Sequence, residues 1–106
     1  FLPFLYIMPR IKLMKSDKPE KKWKVIIEYR EGQRTRTIHF GASGYTDYTK
    51  GATEQQKTNY RNRHRKEANQ AFDTAGRLSY DILWGTTRNV RTNFSAYKRK
   101  FKLKDL

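Results

Sequence analysis

Positive charge is the strongest constraint on what this chain can become. Of its 106 residues, 24 are Lys or Arg and only 10 are Asp or Glu, a formal charge of +14. Self-repulsion at that density opposes compaction. With 36% hydrophobic residues, the chain can build one thin core and no large substrate cavity. A polyanion or an acidic protein surface that binds the folded chain is therefore expected to add to its stability. Aromatic residues nevertheless reach 14%, with seven Tyr, six Phe and two Trp, richer than a disordered basic tail carries. The composition predicts a small ordered core wrapped in cations.

Several classes of protein drop out at once. Cys is absent, so neither a disulfide framework nor a thiolate zinc site can form. His39 and His64 are far apart in sequence, and no structural metal or cofactor is expected. The apolar run Phe1 to Met8 is far shorter than the roughly 20 residues of a membrane-spanning helix, and Pro3 interrupts it. The run also lacks the basic start and small-residue cleavage site of a signal peptide. Met8, followed by Pro9 and Arg10, reads as an initiator, with residues 1–7 as an upstream extension or a processed end.

Residues 1–21 read as an extended N-terminal arm, charged and punctuated by Pro, whose apolar Phe1, Leu2, Phe4 and Leu5 would dock on a partner. From Lys22 the pattern changes. Trp23, Val25, Ile27 and Tyr29 alternate with polar residues, the period of a half-buried strand. After a turn at Glu31-Gly32-Gln33 a second strand alternates through Arg34 to Phe40, so that the two form a β-hairpin. The aromatic Gly41–Gly51 segment reads as a structured loop. Thr53 and Gln56 form a capping-box pattern that opens a helix expected to run to about Phe72. Leu78, Tyr80, Ile82, Leu83 and Trp84 make a short helix apolar nearly all round, ended by Gly85 and placed at the centre of the core. Val90, Phe94, Tyr97 and Phe101 give a final helix one aromatic stripe. The expected fold is α+β: a hairpin packed against about three C-terminal helices in a single domain, residues 22–106, preceded by the arm.

The order of motifs resembles a family of small basic proteins of large nucleocytoplasmic DNA viruses, of the phycodnavirus and mimivirus kind. The resemblance rests on His39-Phe40-Gly41-Ala42 closing the hairpin and on the loop Gly44-Tyr45-Thr46-Asp47-Tyr48-Thr49. It continues through the basic helix with Tyr60, Arg61, Arg63, His64, Arg65 and Lys66, then Thr74-Ala75-Gly76, Ile82-Leu83-Trp84 and Lys98-Arg99-Lys100-Phe101. It implies a viral origin and a place in the virion as a minor capsid component.

The cationic row Lys57, Arg61, Arg65, with Arg63 and Lys66, and the C-terminal Arg91, Lys98, Arg99 and Lys100 are the candidate polyanion- or partner-binding residues. The same row also reads as a solvated helix face. Tyr45 and Tyr48 could stack bases or plug the loop over the hairpin. His64 could act as a neutral base among like charges or sit as a partly buried core residue. Asp47, Glu54, Glu67, Asp73 and Asp81 carry no paired-carboxylate spacing, and no nucleophile with its base or Gly-rich phosphate loop is present, so no enzyme is expected. The leading expectation is a non-enzymatic virion structural protein, a minor capsid (cement) protein bridging major and minor capsid proteins, located in the virion and in host cytoplasm during assembly. The alternative is a sequence-independent nucleic-acid-binding protein. Neither needs a membrane span or a small-molecule substrate.

Overall fold

The structure is a computed structural model and describes residues 8–106. Three antiparallel strands, β1 (Arg10–Lys15), β2 (Lys21–Glu28) and β3 (Thr35–Ala42), form a meander, and a two-residue strand β4 (Lys104–Asp105) joins β1 in parallel, giving the order β3-β2-β1-β4. Between β3 and β4 lie helices α1 (Glu54–Arg63), α2 (Ala75–Leu78) and α3 (Val90–Phe101), linked by short 3-10 and π-helical turns. The α+β expectation holds.

The hairpin forms as its alternation dictates. Val25 pairs with Ile38 and Trp23 with Phe40, while Gly32 takes the left-handed φ of 79° in the connecting turn. Val25, Ile27, Ile38 and Phe40 are buried, and Trp23 and Tyr29 pack half-buried at the margin.

The expected arm is corrected over residues 10–21, because Arg10–Lys15 is strand β1. Ile11 and Leu13 alternate with Lys12 and Met14, and their register opposite Ile27 and Val25 extends the hairpin's apolar face. Pro9 falls just before the strand, where its missing N–H costs no ladder bond. Pro19 lies in the β1–β2 turn, which Ser16 closes by accepting the Lys18 N–H at 3.0 Å. The domain therefore begins before the expected boundary at residue 22. Phe1, Leu2, Phe4 and Leu5 lie outside the described residues.

The helical layer covers one face of the sheet. Leu78, Ile82, Leu83, Phe94, Tyr97 and Leu103 meet Ile11, Leu13, Val25, Ile27, Ile38 and Phe40 in one cluster, as expected of the only apolar surfaces large enough to close the hairpin. The α3 stripe docks by Phe94 and Tyr97, with Val90 and Phe101 half-buried. Asn89 caps this helix, accepting the Thr92 N–H at 2.9 Å. Trp84 is half-buried rather than central, and the segment before it is not one helix: α2 passes into a π-helical turn, Ser79–Leu83, closed by the Trp84 N–H on the Ser79 carbonyl at 3.1 Å. Gly85 must follow, since a Cβ there would lie 2.2 Å from the Asp81 carbonyl oxygen.

The capping box is present: Thr53 accepts the Gln56 N–H at 3.0 Å and its own N–H reaches the Gln56 side chain at 2.8 Å. The helix it opens, however, ends at Arg63 instead of Phe72. α1 buries no residue, so packing does not hold the next turns in α geometry. The chain tightens into a 3-10 segment, Arg65–Asn69, which leaves the Ala68 and Gln70 carbonyls for the Arg77 guanidinium.

Candidate polyanion-binding surface

The expected cationic row on α1 is broken. Arg61 turns inward, donating to the Trp84 carbonyl at 2.7 Å and lying 4.1 Å over the Tyr80 ring. Lys57 sits 4.2 Å over the Tyr48 ring and 3.7 Å from Glu54. Arg65 has passed beyond α1 and donates to Asn62 at 3.1 Å. Of the C-terminal candidates, Arg91 donates to the Leu13 carbonyl at 3.2 Å, Lys98 pairs with Asp105, and Lys100 lies over Phe101 at 5.8 Å. Arg63, Arg65, Lys66 and Arg99 are exposed and form no ion pair among the described residues. The nine candidates thus separate into side chains that hold the fold and a smaller set that faces water.

The acids are distributed singly. Asp47, buried, receives Lys22 at 2.6 Å and the Thr49 N–H at 2.8 Å. Asp73 accepts from Tyr29 at 2.7 Å, Asp81 from Arg77 at 2.9 Å, and Glu54 from the Tyr48 hydroxyl. Glu67 pairs with His64 at 3.0 Å, and that hydrogen bond holds its carboxyl below the usual range. His64 also stacks on Tyr60 at 4.1 Å. No group of three or more potential metal ligands occurs among the described residues.

The face of the sheet away from the helices collects what the sequence reading passed over. Because the buried positions of β1, β2 and β3 alternate with it, this face carries three cross-strand rows: Lys104, Arg10, Glu28 and Thr35; then Lys12, Ile26 and Thr37; then Met14, Lys24 and His39. Lys12, Thr35, Thr37 and Lys104 are exposed. Arg10 and Glu28 pair at 2.6 Å, and Lys24 reaches Asp17 at 3.2 Å. Residues 10–42, which build this sheet, contain ten Lys and Arg against four Asp and Glu. The available signal was the alternation of Lys12 with Ile11 and Leu13, which the reading of residues 1–21 as an arm set aside.

Between the hairpin, the Gly41–Gly51 loop, α1 and the π-helical turn lies a cleft of about 480 Å³. Tyr60 and Trp84 stack at 4.3 Å on its wall, and burial pushes the Tyr60 phenol up to about 12. Of the two tyrosines expected to stack bases or plug the loop, Tyr48 is the plug, buried under Lys57 and Arg88, while Tyr45 is exposed at the rim.

Comparison with known proteins places these features in a family. A family of unknown function (DUF5754) matches residues 11–64, the span from β1 through α1. The chain belongs to this family. An uncharacterized protein, L851, of Acanthamoeba polyphaga mimivirus is 34% identical over 86 residues, covering 74% of this chain and 85% of the relative. That relative is viral, in line with the origin implied by the resemblance. No solved structure matches.

Proposed function

We propose that the protein is a non-enzymatic, sequence-independent nucleic-acid-binding component of a large-DNA-virus particle. The observation that carries this reading is the distribution of charge after folding. Acids and carbonyls inside the chain occupy Lys22, Arg61, Arg77, Arg88 and Arg91. A surplus remains exposed on an ordered domain with every buried side-chain polar atom among the described residues satisfied. A fixed array of unpaired cations gains free energy from phosphate by releasing counterions, without reading bases. In the salt titration of the purified protein with random-sequence duplex DNA, log Kd should rise linearly with log salt concentration and be indifferent to sequence. Weak binding at 50 mM salt overturns the reading.

The second reading is the minor capsid (cement) protein that bridges major and minor capsid neighbours in the virion. The exposed Arg63, Arg65, Lys66 and Arg99 favour it, since they remain available to acidic faces on other chains. Its support from Arg61, Arg91 and Lys98 is reduced, because these are engaged within the domain. Fixed, symmetry-related positions in the shell, together with failure to bind DNA, would decide for it.

A further inference from the structure

We infer that the face of the sheet opposite the helical layer, rather than the helical surface, is where the protein docks on duplex nucleic acid; this rests on the nucleic-acid-binding reading above. The cations on that face form a diagonal band. Lys104 of β4 lies beside Arg10 of β1, Lys12 follows two residues along the same face, and Lys24 of β2 lies diagonally across from Lys12. Diagonal neighbours on adjacent strands are roughly 7–8 Å apart, so Lys12 and Lys24 continue one line. From β4 to β2 the band crosses two inter-strand gaps of about 4.8 Å each, close to 10 Å, within the ~12 Å width of the major groove.

Arg10 is paired with Glu28 and Lys24 with Asp17, so the free charge that this face offers to phosphate is that of Lys12 and Lys104, both exposed and without an ion pair among the described residues. Thr35 and Thr37 place hydroxyl donors beside the band, the type of side chain that positions a protein on a sugar-phosphate backbone.

The occupant is a duplex and not a single strand. Proteins that hold single strands stack bases on aromatic side chains. The three rows of this face contain Met14 and Ile26 as their only apolar members, with no Phe, Tyr or Trp. The helical surface offers no comparable line, since Arg61 interrupts α1 by turning to the Trp84 carbonyl. The free cations there fall on two separate segments, around residues 63–66 and 99–102.

The test compares two charge-matched variants of the full chain, Lys12→Glu/Lys104→Glu and Arg63→Glu/Lys66→Glu, by fluorescence anisotropy with a labelled 20-base-pair duplex. All four positions are exposed, and thermal melts confirm that each variant folds; Thr37→Glu, also exposed, serves as an independent variant of the face. The sheet variant should bind at least tenfold more weakly than the helical one, and its slope of log Kd against log salt should fall by about two. Thr37→Glu should weaken binding in the same direction. Equal losses from both double variants, a larger loss from the helical one, or tighter binding of a single-stranded oligonucleotide would overturn the sheet assignment while leaving the function standing. Failure of the wild-type protein to bind any nucleic acid would overturn both.

Discussion

Replacing Arg77 with Ala should be the most damaging change of a charged residue in this protein. The guanidinium is buried, with a side chain only 6% exposed, and it donates to Asp81 at 2.9 Å and to the carbonyls of Ala68 and Gln70. It also lies 4.8 Å over the Phe101 ring. Truncation removes these contacts and strands the Asp81 carboxylate, itself 13% exposed, in a place where water reaches poorly. Breaking one partner of a buried pair costs about 3–5 kcal/mol, and both side chains are buried enough that little of this is screened. A domain of this size loses roughly 4 °C or more in Tm for each kcal/mol. Arg77→Ala should therefore melt more than about 10 °C below the wild type by circular dichroism. Since Arg77 ties the 3-10 segment to α2 through the Ala68 carbonyl, amide exchange should rise most in residues 65–70. A loss below about 1 kcal/mol would mean that the guanidinium is not the tie described.

Gly41 has φ of 81°, and a Cβ there would lie 2.7 Å from Leu83 Cδ1; Gly41→Ala should destabilise by more than about 1 kcal/mol in urea titration, and a neutral result would contradict the approach of strand and π-helical turn. Glu67, Asp17 and Glu54 are held below the usual carboxylate range by hydrogen bonds from His64, Lys24 and Tyr48 respectively. Between the ordinary and the lowered values the unfolded chain binds more protons, so stability should fall as pH drops through that window; a Tm that holds or rises from pH 6 to 3 would refute this. At the alkaline end the sign reverses, because burial raises the Tyr60 phenol to about 12. Its contribution is present below pH 10 and lost as pH approaches 12, readable from phenolate absorbance against Tm.

What the sequence disclosed follows from the range of the interactions involved. The β2–β3 hairpin, the Thr53–Gln56 cap and the α3 stripe are local patterns, and each appears where its period or spacing places it. β1 was obscured because only Ile11 and Leu13 carry its buried face between Pro9 and Pro19. The break after Arg63 and the burial of Arg77 depend on one another across Ala68 and Gln70, a pairing that no periodicity announces. For the surface, composition announced the excess of cations, but which of them face water depends on carbonyls such as those of Trp84 and Leu13. These become partners only once the chain has folded.

The order in which the layers occur along the chain has a consequence for synthesis. The three-stranded meander is complete by Ala42, yet its apolar face is closed by residues from Leu78 to Leu103. A chain growing from its N-terminus therefore carries an assembled but bare hydrophobic face while a further stretch of sequence is still being made, the kind of surface that drives nascent chains together. The surplus of six positive charges over residues 10–42 makes two such half-finished sheets repel. The same lysines and arginines that oppose compaction in the finished protein thus act as its protection against self-association before the helices arrive.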